Sequence, residues 1–189
     1  MDDRRHLTLR IPLPRRRDVA RTVVALGVAG LPVLRAWGLQ WGAREEELEA
    51  HLPGDCLAPD ADLVATRAIG LAAPPQDVWP WVVQVGRGRC GSSPDDTLEV
   101  AAVDAGRALV LRSPGGAAAP YRLTWAFVVR PDGRGGTRLV VRERYAYRTA
   151  WARFAAEPAC AVSAVTTRSL LRGVRRRVRG ASNVIRPAG

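Results

Sequence analysis

The sequence predicts an α+β fold in which an antiparallel sheet is covered by one long C-terminal helix. Three observations predict it. Residues 121–147 hold two alternating segments rich in β-branched and aromatic residues, and Pro131-Asp132-Gly133-Arg134-Gly135-Gly136 between them is a run of turn formers. Thr97 to Val103 and Arg107 to Arg112 make a second strand pair around Asp104-Ala105-Gly106. From Ala150 to Gly180 the apolar residues recur at helical spacing.

Alternation fixes the faces of the main hairpin. Tyr121, Leu123, Trp125, Phe127 and Val129 share one side of its first strand. On the second strand Leu139, Val141, Glu143 and Tyr145 lie opposite Arg138, Val140, Arg142 and Arg144. A face carrying Trp, Phe and Tyr has to be covered, and the C-terminal helix is the cover. Along that helix Phe154, Val162, Val165, Ser169 and Gly173 form one stripe, with Leu170, Val174 and Val178 beside it. Pro158 interrupts the pattern early, so the helix is expected to begin properly near it. Arg172 to Arg179 is nearly all arginine, which suits a helix C-terminus and reads either as a solvated end or as a contact for anionic head groups.

Upstream, Asp62 to Leu71 reads as a first strand. Pro74-Pro75 closes it and opens a helix, with Val78, Trp79, Val82 and Val83 at helical spacing between Gln76 and Val85. Gly86 to Pro94 is a glycine-rich loop without the Lys-Ser/Thr ending of a phosphate-binding loop. The layout expected is a basic flexible N-terminus over residues 1–18, an apolar helix over 19–41, a linker over 42–60, the sheet-and-helix domain over 61–180 and a flexible tail over 181–189. Within the linker, Arg44 to Ala50 reads as a short acidic helical turn.

Composition narrows the function. The chain has 189 residues, a formal charge of +11 and no lysine, so all 29 basic side chains are arginine. With abundant Ala, Gly, Val and Pro, that bias suggests a GC-rich bacterial genome and explains the high pI without nucleic acid. The charge is also segregated: residues 1–44 carry +6, residues 45–167 carry −2 and residues 168–189 carry +7. Basic ends around a neutral centre favour phospholipid head groups over nucleic acid, and no nucleic-acid module is recognisable. Cys56, Cys90 and Cys160 are scattered, which argues for free thiols and against a zinc site. His6 and His51 both precede the sheet, so no histidine-centred catalytic or metal site is expected in the core, and no cofactor is expected.

Val19 to Leu39 is apolar, but its uncharged part, Thr22 to Leu34, is shorter than the roughly 20 residues of a spanning helix. Three readings stay open for it: a single span extended by snorkelling Arg21 and Arg35, a helix lying on the bilayer, and an ordinary helix packed on the domain. Trp37 and Trp41 would suit an interfacial belt. Membrane association is the localisation expected, cytoplasmic otherwise.

The order strand, helix, several antiparallel strands, long helix resembles the helix-grip fold of the START and polyketide-cyclase superfamily, SRPBCC. The resemblance rests on residues 41–43, 52–55 and 59–69, on Ala73-Pro74-Pro75 with Val78-Trp79-Pro80-Trp81, on Trp125-Ala126-Phe127 and on residues 137–145. Compared with that family, a stretch after Gly91-Ser92-Ser93-Pro94 is missing, which leaves five strands and an unpaired edge open to homodimerisation. The resemblance implies a cavity between sheet and C-terminal helix for a lipid or polyketide-like molecule. Its lining here would be Trp79, Leu123, Trp125, Phe127, Val141, Glu143, Tyr145, Val162 and Val165. Glu143 is either a polar anchor in that lining or a salt-bridge partner of Arg122, Arg142 or Arg144. Non-catalytic binding is the leading expectation. A cyclase-like enzyme and a membrane-attached interaction protein without a small ligand are the alternatives.

Overall fold

The computed structural model describes residue 33 and residues 35–89, 98–114 and 119–184. The chain divides into Met1–Ala36 and Trp37–Gly189, and the architecture below belongs to the second unit. Its elements are helix α1 (Glu45–Glu49), a 3-10 turn (Asp55–Leu57), strand β1 (Leu63–Leu71), helix α2 (Pro75–Arg89), strands β2 (Glu99–Asp104), β3 (Ala108–Arg112), β4 (Tyr121–Pro131) and β5 (Thr137–Tyr147), and helix α3 (Arg153–Val184). The expected apolar segment over 19–41 lies largely outside the described residues, as do Cys90 and most of the glycine-rich loop. No helix among the described residues is long and apolar enough to cross a membrane.

The five strands form one antiparallel sheet in the order β1-β5-β4-β3-β2. The main hairpin, β4 and β5, sits at its centre, and β1 crosses over to pair with β5. The hairpin turn is closed by Asp132, whose Oδ1 accepts the backbone N–H groups of Arg134 and Gly136 at 2.8 Å each. Those two donors hold the Asp132 carboxyl below its ordinary pKa. Gly133 and Gly135 supply the positive φ that the turn needs, 76° and 82°. The β4–β5 register is unbroken from Tyr121↔Tyr147 to Pro131↔Thr137, so the alternation read from the sequence survives into the sheet.

The inner face packs on the two longer helices. Ile69, Leu111, Trp125, Phe127, Leu139 and Val141 meet Val78 and Val82 of α2 and Leu171, Val174 and Val178 of α3. Helix α3 starts at Arg153 and runs through Pro158, earlier than the sequence suggested. The proline removes one N–H donor near the helix start, at an exposed position where the loss is tolerated.

The inward stripe of α3 differs from the one expected. Ala156, Cys160, Thr167, Leu171, Val174 and Val178 are buried, whereas Val162 and Val165 are 65% and 67% exposed and Phe154 67%. Val162 and Val165 therefore turn away from the sheet and line nothing between sheet and helix. Around its middle the helix turns Ser163 and Thr167, not Val162 and Val165, to the buried charge described below.

The segment read as a linker is a strap across the outer face of the sheet. Leu52, with Ala43 and Ala50, packs on Ala68, Ala108, Val128 and Val140. Outward arginines of β5 bind it down. Arg138 pairs with Glu47. Arg144 donates from Nε to the Ala58 carbonyl and from Nη2 to that of Pro59, 2.9 Å each. Arg142 uses all five of its N–H groups, on the carbonyls of Glu47, Leu48 and Ala50, on Asp55 Oδ2 and on Thr66 Oγ1, at 2.6–3.0 Å. Gly42 (φ 69°) lets the chain pass close to the Ala68 carbonyl, where a Cβ would clash.

Candidate functional site

The chemistry of this domain concentrates where β1 and β5 face the middle of α3. Arg67 lies on the inward face of β1 with Leu63, Ala65, Ile69 and Leu71, because all five share parity. Glu143 pairs with Ala65 and Arg67 with Val141, so the two charged side chains are diagonal neighbours on adjacent strands. Each is only 1% exposed, and Arg67 Nη1 donates to Glu143 Oε1 at 2.8 Å.

Helix α3 completes the cluster. Ser163 and Thr167 are one turn apart on one face. Their hydroxyls donate to the same Glu143 Oε1, at 2.6 and 3.1 Å. The Tyr145 hydroxyl donates to Oε2 at 3.0 Å. Arg67 also donates from Nε to the Gly38 carbonyl at 2.9 Å, and from Nη2 to the Cys160 carbonyl at 3.4 Å, with Cys160 Sγ at 3.6 Å. Four donors thus surround one carboxylate within an apolar layer. Taking two charges out of water is expensive unless the geometry and the remaining hydrogen bonds compensate, and here they do.

Two neighbours, protonated at neutral pH in any case, hold their protons more firmly. Burial, and then the charge of Glu143, drive the Tyr145 phenol well above its ordinary pKa. Burial and Glu143 also push the Cys160 thiol up, against an opposing pull from Arg67. At neutral pH Tyr145 is therefore a donor rather than a base, and Cys160 is a thiol rather than a nucleophile.

The expected lining residues separate into groups. Glu143 and Tyr145 come together in the polar cluster, beside Tyr121, whose ring meets that of Tyr145 edge-on at 5.4 Å. Trp125, Phe127 and Val141 sit together in the adjoining apolar core, with the Trp125 and Phe127 rings 5.1 Å apart. Trp79 is half-buried against that core, and Leu123 is half-buried against the cluster around Tyr145. Val162 and Val165 join neither group. The salt-bridge partner of Glu143 is Arg67, not Arg122, Arg142 or Arg144. Sequence reasoning missed Arg67, Ser163, Thr167 and Cys160. The signal for Arg67 was available, since its parity places it inward on the first strand just as that of Glu143 does on the last.

Arginines of α3 also cover the tryptophans ahead of the strap. The Arg168 guanidinium lies 3.9 Å from the Trp37 ring centroid and 5.0 Å from that of Trp41, and Arg172 lies 5.5 Å from Trp41. On the outer face, strap and sheet enclose a cleft of about 310 Å³ lined by Glu49, His51, Asp55, Cys56, Arg142 and Arg144, among others. Its polar groups largely serve the strap, since four of the five Arg142 donors are committed there.

No protein-family model and no curated protein matches this chain. Solved structures do resemble it. The polyketide-cyclase-like protein of Corynebacterium glutamicum is 14% identical, with a TM-score of 0.44, over 67% of this chain and 97% of its own. Protein TTHA0849 of Thermus thermophilus is 19% identical, with a TM-score of 0.39, over 64% and 99%. A point mutant of the norcoclaurine synthase of Thalictrum, solved with a transition-state analogue, is 11% identical, with a TM-score of 0.44, over 64% and 96%. At such identities the likeness is one of fold.

Proposed function

We propose that this helix-grip domain, of SRPBCC type in its fold, binds an apolar small molecule carrying one hydrogen-bonding group, between the sheet and α3, without transforming it. The observation that carries the reading is the Arg67–Glu143–Tyr145–Ser163–Thr167 cluster set in an apolar layer. Small-molecule sites are mostly apolar with a few placed polar groups, and this layer has that composition. A buried ion pair is often no more stabilising than apolar residues of the same volume, so its presence here suits recognition better than stability. A ligand hydroxyl would take the place of the Ser163 hydroxyl at Glu143 Oε1. The apolar body would lie along Leu123, Trp125, Phe127 and Val141, with Trp79 at the rim.

The test is native mass spectrometry with lipid extraction on the full chain purified from a bacterial host. A co-purifying apolar mass, retained less well by Leu123→Ala although that variant stays folded by circular dichroism, supports the reading. A folded, ligand-free protein that ignores a broad panel of lipids and aromatic polyketides removes it. That outcome favours a second reading, an interaction protein without a small ligand, which the close packing of buried Trp125 against Phe127 supports. For self-association the available edge is β2, where Val100 and Val103 are exposed. A bulge between Val100 and Ala102 acts against such pairing. A dimer in sedimentation that Val103→Lys dissolves would support it, and a monomer at high concentration would remove it.

A further inference from the structure

We infer that the outward face of α3 docks on an anionic phospholipid surface, an interaction separate from the proposed small-molecule site. At about 100° per residue, Phe154, Pro158, Val162, Val165, Ser169, Arg172 and Arg176 fall on one stripe, opposite the buried line of Ala156, Cys160, Thr167 and Val174. The first half of this stripe is apolar and open. Phe154, Val162 and Val165 are each about two-thirds exposed, and Trp151, just ahead of the helix, is 56% exposed. Its second half is cationic: Arg172, Arg176 and Arg179 lie on it and Arg175 and Arg177 to either side, all exposed. Glu157 is the one acidic residue between Arg153 and Val184, and it lies to the side of the stripe. Residues 168–189 carry seven arginines and no acid at all.

The two halves together select the partner. Nucleic acid or an acidic protein would answer the arginines but would leave the exposed Phe154, Val162 and Val165 unused. A second copy of the chain would answer the valines but bring two sets of arginines together, and like charges in contact oppose such a pairing. A bilayer with anionic head groups answers both. The apolar side chains enter the boundary between head groups and acyl chains, while arginines lie along the surface with their guanidiniums at the phosphates. The face of a single helix is convex, which also suits a flat surface better than a peptide. Docking of this kind leaves the inward face of α3 on the sheet.

The experiment is flotation of the full chain with phosphatidylcholine vesicles, with and without phosphatidylglycerol. Two variants are compared with wild type, Val162→Ser/Val165→Ser and Arg175→Gln/Arg176→Gln/Arg179→Gln, the second of which leaves the Arg172–Trp41 contact in place. All five positions are exposed, so circular dichroism and melting should be unchanged. The expected result is salt-sensitive binding to the anionic vesicles that falls at least about tenfold in each variant. Because both variants keep residues 1–41, any binding through the N-terminal segment is common to all three proteins. Equal binding by wild type and both variants overturns the inference. So does loss in the arginine variant alone with matching loss on polyglutamate, which would mark a general site for polyanions. Vesicle-independent dimerisation abolished by the valine variant would also overturn it, in favour of a second copy. Ligand retention in native mass spectrometry should not change in either variant, so this inference and the small-molecule reading fail separately.

Discussion

Glu143 accepts from Arg67, Tyr145, Ser163 and Thr167, and its removal would strand a buried guanidinium. Arg67→Met or Glu143→Leu alone should each cost about 3–5 kcal/mol, measured by urea denaturation. The double variant should cost far less than their sum, because it leaves no unpaired charge. An additive double variant would show that the pair is not coupled. Tyr145 makes a second prediction, for alkaline pH. Its pKa is raised in the folded state, so the folded protein keeps a proton that the unfolded chain releases near the ordinary tyrosine value of 10.0. Stability should therefore hold up to that pH and fall above it, and Tyr145→Phe should flatten the fall. Parity alone would have located Arg67. Ser163, Thr167 and Cys160 were harder to read, because isolated small polar residues on a helix carry no sign that a carboxylate waits opposite.

At the scale of elements, the strap is held by charge. Burial alone would raise the Glu47 pKa, but hydrogen bonds from Arg138 and from the Arg44 backbone, with their charges, outweigh it and leave the carboxyl below its usual value of 4.5. A depressed carboxylate contributes stability that is present above the unfolded pKa and lost as pH falls through the folded one. Stability should accordingly drop as pH falls below about 4.5, with Glu47→Gln less stable at neutral pH and less sensitive to acid. Thermal melts across that range would show it, and identical pH profiles would refute it. Arg142→Leu should release the strap before the sheet unfolds, seen as faster hydrogen exchange over residues 43–60 than over β4 and β5. The strands were legible because alternation and turn residues are local signals. The strap was not, because what holds it are contacts between Glu47 and Asp55 and arginines some ninety positions later. Helix α3 was legible in extent but only partly in rotation: Val174 and Val178 face inward, as their place beside the expected stripe implied, whereas Phe154, Val162 and Val165 face solvent.

For the molecule as a whole, burial divides the thiols. Cys56 is exposed and Cys160 buried, with its pKa raised. In a Cys90→Ser chain one thiol should react with a disulfide reagent within the dead time of mixing, and the second only as fast as the domain opens. Two fast thiols would mean that the layer between sheet and α3 is loose, which is also the condition for ligand entry there. The sheet-and-helix architecture followed from the order of the elements, whereas nothing local in the sequence marked the outer face of the sheet as covered.

Most of the arginine donors that reach the strap end on main-chain carbonyls: those of Gly42, Glu47, Leu48, Ala50, Ala58 and Pro59. A carbonyl is the same whichever side chain it belongs to. The strap can therefore exchange many of its exposed residues and still be gripped, provided that its path, Gly42, the buried Leu52 and Ala58 and the few carboxylates that neutralise the arginines are kept. Mutational scanning of the strap should accordingly tolerate changes of composition far better than insertions or deletions of a single residue, which would slide every carbonyl out of reach at once.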